Sequence, residues 1–139
     1  MRPGSIIRVF CHFCKPPKIK YYVLVAAEPY AIGFLINSNP TPLQSIRDDL
    51  CADLVKVKKV DHPNFLDDDS LLDCTEPIED YELHTLQARC KVGGNFLGTM
   101  TIETAYAIKS VVSDSMNISP SMKKIILKNL VSEYPDEER

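Results

Sequence analysis

The stretch that decides the fold runs from residue 4 to residue 38 and reads "GSIIRVFCHFCKPPKIKYYVLVAAEPYAIGFLINS". It contains three apolar runs, "GSIIRVFCHFC", "KYYVLVAA" and "IGFLINS", whose β-branched and aromatic residues are typical of β-strands. The intervening "KPPK" and "EPYA" contain prolines, which cannot continue a central strand. The first quarter of the chain therefore predicts three consecutive strands joined by loops.

The middle of the chain predicts mixed structure. "TPLQSIRDDLCADLVKVKK" begins with apolar residues at helical spacing and is expected to end as a strand around 54–60. We expect "LLDC" to be another strand, and "TEPIEDYELHTL" to be a loop with one helical turn. "QARCKVGGNFLGTM" predicts a strand, a Gly-Gly turn and a short return.

The C-terminal part predicts two helices. Over 101–114, apolar residues recur on one helical face, and over 119–133 a second apolar stripe follows Ser119 as N-cap and Pro120 at the first helical position. Several short strands followed by helices predict a mainly β protein of the α+β class. We expect one domain over 1–139, with a small barrel over about 4–100 and helices over about 101–133.

The composition is that of a globular protein, with 45% hydrophobic and 25% charged residues among 139. There is no run of about 18 apolar residues, so no membrane span is predicted. The N-terminal "MRPGSIIRVF" lacks the pattern of a signal peptide. We therefore expect a cytoplasmic protein whose five cysteines stay reduced.

Charge is distributed unevenly along the chain, although the net charge is only −3. Residues 61–82 carry nine acidic residues and no Lys or Arg, whereas residues 1–27 carry no acidic residue. A local basic surface attracts anions within a Debye length of roughly 10 Å, even on an acidic protein. The five basic residues of the first segment are Arg2, Arg8, Lys15, Lys18 and Lys20.

The stretch "NFLDDDSLLDC", residues 64–74, places three aspartates in a row and raises the question of a metal site. Consecutive side chains on a strand point to opposite faces, so three adjacent carboxylates cannot converge on one ion. A calcium loop would need alternating oxygen ligands, a central Gly and a closing Glu, which are absent. We therefore interpret Asp67, Asp68 and Asp69 as a turn leading into a strand.

Cys11 and Cys14 form a lone C-x-x-C pair around His12 and Phe13. A structural zinc site would need a second such pair, and a redox motif would be expected at a strand–helix junction. Zinc binding and redox chemistry remain alternatives to two small apolar residues. His62 and His84 are isolated in the sequence and are interpreted as structural or surface residues.

Six pieces of the chain follow an order that resembles the MazF/PemK family of toxin endoribonucleases. "GSIIRVF" is similar to the Gly-x-Ile/Val-x-x-Val strand that opens those proteins, and a basic loop with prolines follows it. "KYYVLV" stands where they have Arg-Pro and apolar residues, and "GFLINS" ends where they have Thr-Ser or Ser-Ser. "FLDDDSLLDC" resembles their Leu-x-x-x-Ser turn, and "LGTMTIETAYAIKSVV" their closing element and helix. The resemblance extends over about residues 4–115.

The resemblance implies an SH3-like β-barrel, a homodimer, and a cognate antitoxin as protein partner. It also implies cleavage of single-stranded RNA without metal or other cofactor, giving 2′,3′-cyclic phosphate and 5′-OH ends. By position, Lys20 would stabilise the charge of the phosphorane and Ser38 would position the phosphate. His12, Lys15 and Lys18 would line the path of the RNA.

A second function is left open by the same residues. Lys20 stands where the family has Arg, and Tyr21 follows it where the family has Pro. Lysine supplies positive charge but not the planar, bidentate fork of a guanidinium. The alternative is a catalytically silent barrel that acts as a protein-interaction or regulatory module.

Overall fold

The computed structural model describes residues 1–136. The chain is of the α+β class, as expected. Its strands are β1 (Ser5–Cys11), β2 (Lys18–Ala26), β3 (Ile32–Asn37), β4 (Leu54–Val57), β5 (Ser70–Ile78) and β6 (Phe96–Thr99). Its helices are α1 (Pro42–Ile46), α2 (Asp48–Cys51), α3 (Leu83–Cys90), α4 (Ile102–Asp114) and α5 (Pro120–Glu133), with a 3₁₀ turn at Lys59–Asp61.

The six strands form one curled antiparallel sheet in the order β4-β5-β3-β2-β1-β6. The hairpins β1–β2 and β2–β3 use the three strands predicted from residues 4–38, and Lys18 is paired with Cys11 at the loop end of the first hairpin. Because β3 pairs with β5, the end of β3 lies next to the start of β5, with Asn37 opposite Leu71. This pairing brings two distant parts of the chain together at one end of the sheet.

Each face of the sheet packs against helices. Alternate residues of β2 belong to different apolar clusters, with Val23 and Val25 on one face and Tyr22 and Leu24 on the other. The larger cluster includes buried side chains of α4 and α5, and the smaller one includes Leu86 of α3. The alternation follows from the two-residue period of a strand.

The two C-terminal helices are confirmed. The side chain of Thr101 accepts a hydrogen bond from the backbone of Thr104 at the start of α4. At the start of α5, Ser119 accepts one from Met122, and Pro120 occupies the first turn. Each cap satisfies a backbone N–H that has no partner within the helix. Within residues 1–136, none of the helices has the length and apolar character needed to cross a bilayer.

The structure corrects the prediction for residues 75–95. "TEPI" continues β5 to Ile78 instead of starting a loop, and 87–90, predicted as a strand, lies in α3. The physical reason is burial: Leu86 is fully buried in the smaller core, with Leu83 and Cys90 packed beside it at helical spacing. Packing of this face on the sheet selects the helix.

Candidate functional site

A cavity of about 470 Å³ lies at the end of the sheet where β2 begins and β3 ends. Its walls come from the first residues of β2, the end of β3 and the segment that leads into β5. Cationic, hydroxyl, carboxylate and aromatic side chains are all represented. The lining residues are Lys18, Ile19, Lys20, Tyr21, Ile36, Ser38, Phe65, Leu66, Asp67, Asp68 and Ser70.

Three of the residues singled out from the sequence meet at this cavity: Lys18, Lys20 and Ser38. Lys18 and Ser38 are exposed, and Lys20 is half-buried. They come together because Tyr21 pairs with Ile36, which sets the start of β2 beside the end of β3. The sheet register therefore joins two lysines and a serine that are about twenty residues apart in the chain.

Lys20 is held by its neighbour on β3. Its ammonium donates a hydrogen bond to the side-chain oxygen of Asn37. Burial lowers the pKa of Lys20 below the usual 10.5, the nearby charge of Lys18 lowers it further, and the carboxylate of Asp73 acts in the opposite direction. Lys18 and Lys20 share a face of β2, since they are two residues apart, which explains their repulsion.

The run of three aspartates forms a bend before β5, which confirms the predicted turn leading into a strand. The carboxylate of Asp69 accepts a hydrogen bond from the backbone N–H of Lys59 at 2.8 Å and pairs with Lys56 at 3.5 Å. The hydrogen bond from Lys59 is the main reason why the pKa of Asp69 lies below its usual value, and the ammonium of Lys56 acts in the same direction. Asp67 and Asp68 are exposed and line the cavity instead.

An aromatic pair forms another part of the wall. The rings of Tyr21 and Phe65 meet edge to face, with centroids 5.0 Å apart. Phe65 is positioned by a turn in which the carbonyl of His62 accepts a hydrogen bond from Leu66 at 3.1 Å. Such rings offer a surface on which a nucleobase can stack, and they lie on the face of β2 opposite to Lys18 and Lys20.

His12 and Lys15 are not among the residues that line this cavity. Both are exposed in the loop between β1 and β2. His12 instead lines a second cavity of about 430 Å³ with Phe10, Phe13 and Tyr81. The structure therefore brings Lys18 together with Lys20 and Ser38, and leaves His12 and Lys15 at the hairpin tip.

The C-x-x-C pair differs from expectation, because Cys11 and Cys14 are joined by a disulfide. The expectation that all five cysteines stay reduced is wrong for these two, while Cys51, Cys74 and Cys90 are free thiols. Burial raises the pKa of Cys74 and of Cys90, so neither is prepared as a thiolate. Over residues 1–136, no three or more His, Cys, Asp or Glu side chains are grouped as metal ligands.

Several cavity residues were not singled out from the sequence as site residues: Phe65, Asp67 and Asp68. The signal that reveals them is the β3–β5 pairing, which places residues 65–70 beside the start of β2.

Comparison of the chain with protein-family models, with curated proteins and with solved structures gives no match. The chemistry of the cavity is consequently the basis for a functional proposal.

Proposed function

We propose that the protein is a metal-independent endoribonuclease that cleaves single-stranded RNA in the cavity between the start of β2 and the end of β3. One observation carries the proposal: Lys18, Lys20 and the hydroxyl-bearing Ser38 line the same open cavity. Ammonium and hydroxyl groups are the donors that a phosphodiester requires. Tyr21 and Phe65, on the face of β2 opposite to Lys18 and Lys20, supply an aromatic surface for a base elsewhere on the same RNA strand.

The reaction is an attack of the ribose 2′-oxygen on the adjacent phosphorus. The new bond joins the 2′-oxygen to phosphorus, the bond from phosphorus to the 5′-oxygen breaks, and a 2′,3′-cyclic phosphate remains. A carboxylate of Asp67 or Asp68 takes the 2′-OH proton, and the ammonium of Lys20 gives a proton to the leaving 5′-oxygen. Lys20 stabilises the charge of the phosphorane, Ser38 positions the phosphate, and Lys18 holds the strand.

The lowered pKa of Lys20 suits this role. A half-buried ammonium interacts more strongly with a developing negative charge than an exposed one, because less water screens it. The same ammonium gives up its proton more readily to the leaving oxygen than one of ordinary pKa.

The proposal extends to fold and partners. We propose that the curled six-stranded sheet is a divergent SH3-like barrel. The resemblance to the MazF/PemK family further implies a cytoplasmic homodimer controlled by a cognate antitoxin protein. His12 and Lys15 at the hairpin tip would contact the RNA strand outside the cavity.

The test is incubation of the protein with a mixed-sequence single-stranded RNA in EDTA, followed by mapping of the new ends. The proposal expects 2′,3′-cyclic phosphate and 5′-OH ends, and slow cleavage of the same sequence in a duplex. Fragments with 3′-OH and 5′-phosphate ends, or cleavage that requires a divalent ion, would contradict it.

A second candidate function is a binding module without catalysis. The observation that favours it is the hydrogen bond of Lys20 to Asn37, which occupies one of the three ammonium donors in the free protein. RNA that stays intact in the same experiment, but binds less tightly to a Lys18→Ala variant than to the native protein, would establish this function instead.

A further inference from the structure

The disulfide lies at the tip of the hairpin that carries the cavity lysines. Cys11 is the last residue of β1 and is paired with Lys18, the first residue of β2. The bond to Cys14 folds the start of the 12–17 loop against the smaller core cluster, which contains Cys11 and contacts Cys14. The disulfide therefore includes Cys11, which is paired directly with Lys18 of the cavity wall.

Few other interactions hold this loop. Within the described residues 1–136, no side-chain hydrogen bond or ion pair involves 12–17. The contacts of its rings are those of His12 with Phe10, 4.7 Å between centroids, and of Phe13 with Tyr81, 6.4 Å between centroids. The disulfide is consequently the strongest restraint on the loop, and its loss leaves the loop held mainly by two aromatic contacts.

The two sulfurs differ in access. Cys11 is fully buried, whereas Cys14 is partly exposed. Exchange requires the attacking thiol to approach one sulfur of the disulfide. The sulfur of the partly exposed Cys14 is more accessible to an external thiol than that of the buried Cys11. A bond with one exposed end can be opened without unfolding the core.

We infer that the Cys11–Cys14 pair is a redox site that regulates the cavity: the disulfide orders the hairpin tip and positions Lys18 for RNA, and reduction releases both. The effect on RNA binding rests on the proposed function, whereas the ordering of the hairpin tip by the disulfide does not.

A dithiol attacks Cys14, forms a mixed disulfide and releases Cys11, which takes a proton. The second thiol of the reductant then forms its own cyclic disulfide and frees the Cys14 thiol, so one dithiol is oxidised for each disulfide reduced. Glutathione disulfide, reduced to two thiols, restores the bond.

The experiment compares the full chain after treatment with glutathione disulfide and after treatment with dithiothreitol. Alkylation of thiols reports the state of Cys11 and Cys14, and hydrogen exchange reports the amides of residues 12–20. A short single-stranded oligoribonucleotide reports binding at the cavity. We expect reduction to speed exchange at residues 18–20, which are paired with β1, by about tenfold and to weaken RNA binding by about tenfold.

Two variants complete the design. Cys14→Ser should behave as the reduced protein under both treatments, and because Cys14 is partly exposed this change spares the core. Cys51→Ser, at an exposed free thiol of α2, should respond as the native protein does. Failure of glutathione disulfide to form the bond, or equal exchange in the two states, would overturn the inference. RNA binding that is measurable but unchanged by reduction would also overturn it, whereas absence of RNA binding in both states would count against the proposed function alone.

Discussion

The ammonium of Lys20 on β2 donates a hydrogen bond to the side-chain oxygen of Asn37 on β3. The bond spans two adjacent strands and holds a half-buried lysine beside the serine that follows β3. Burial and the charge of Lys18 both lower the pKa of Lys20. Lys20 therefore differs from a lysine in solvent in the pH at which it loses its proton.

The side chain of Lys20 should lose its proton at a pH below 10.5, the usual value for lysine. Since the ammonium is the form that binds phosphate, this form is present below the pKa and is lost as pH rises through it. Nuclear magnetic resonance of the Lys20 ε-carbon would measure the midpoint directly. In Lys18→Gln the midpoint should move upward, because the repulsion between two neighbouring ammonium groups is removed. A midpoint that is the same in both proteins would show that Lys18 exerts no such effect.

A second prediction concerns the three neighbouring aspartates, which the structure assigns to different environments. One of the two variants Asp67→Asn and Asp68→Asn should lower the rate of RNA cleavage by a factor of about a hundred or more, because one of these carboxylates takes the 2′-OH proton. Either change should also tighten RNA binding, since it removes a negative charge from the cavity wall.

Asp69→Ala is the matched control for those variants. Asp69 binds the backbone of Lys59 and the side chain of Lys56, so its loss should lower the midpoint of urea unfolding and leave cleavage nearly unchanged. Full cleavage in both Asp67→Asn and Asp68→Asn would remove the carboxylates from the mechanism.

His62 should make stability depend on pH. Its side chain is 5% exposed, and its Nε2 has no hydrogen-bond partner within the described residues. Burial lowers the pKa of His62 below 6.5, although the nearby carboxylate of Asp61 acts in the opposite direction. The unfolded chain therefore binds this proton more readily than the folded one. The stability contribution is complete above about pH 6.5 and is lost as pH falls from there towards the lower, folded-state value.

Urea unfolding of native protein and of His62→Leu at several pH values measures this contribution. The difference between the two free energies of unfolding should change between about pH 7 and about pH 5 in favour of the variant. His84→Gln, at an exposed histidine, serves as control and should keep the pH dependence of the native protein. Parallel profiles for the native protein and His62→Leu would contradict the prediction.

Gly33 on β3 should tolerate no larger residue. A Cβ at this position would overlap the ring of Tyr22 and lie 2.6 Å from the carbonyl oxygen of Val23. Gly33→Ala should therefore lower the free energy of unfolding by about 1–3 kcal/mol through overpacking. Tyr22→Phe is the companion variant: the buried hydroxyl of Tyr22 has no partner within the described residues, so its removal should be neutral or stabilising. Chemical denaturation measures both, and an unaffected Gly33→Ala protein would refute the packing argument.

The local sequence was sufficient to predict the strands and helices whose own residues form a strand or helix pattern. β1, β2 and β3 combine β-branched runs with prolines between them, and α4 and α5 begin at residues whose side chains cap them. For α3 only one helical turn was predicted, because its full length is selected by the burial of Leu86 in the smaller core cluster. Burial of that kind depends on the assembled sheet and not on the neighbouring sequence.

The candidate site was predictable only in part for a similar reason. Lys18, Lys20 and Ser38 lie at strand ends that the sequence reveals, and the β2–β3 hairpin brings them together. Asp67 and Asp68 were correctly interpreted as a turn, but their place in the cavity wall depends on the pairing of β3 with β5, about thirty-five residues later in the chain. Long-range pairing of this kind leaves no local signal in either strand.

The most direct test of the central claim is the cleavage rate of one single-stranded RNA in EDTA by the native protein, by Lys20→Ala and by Lys128→Ala. Lys128 is an exposed residue of α5 that does not line the β2–β3 cavity, and it controls for loss of one positive charge. The account predicts a rate about a hundredfold to a thousandfold lower for Lys20→Ala, with cyclic phosphate ends wherever cleavage occurs, and an unchanged rate for Lys128→Ala. Equal rates for Lys20→Ala and the native protein, or RNA that stays intact with all three, would contradict it.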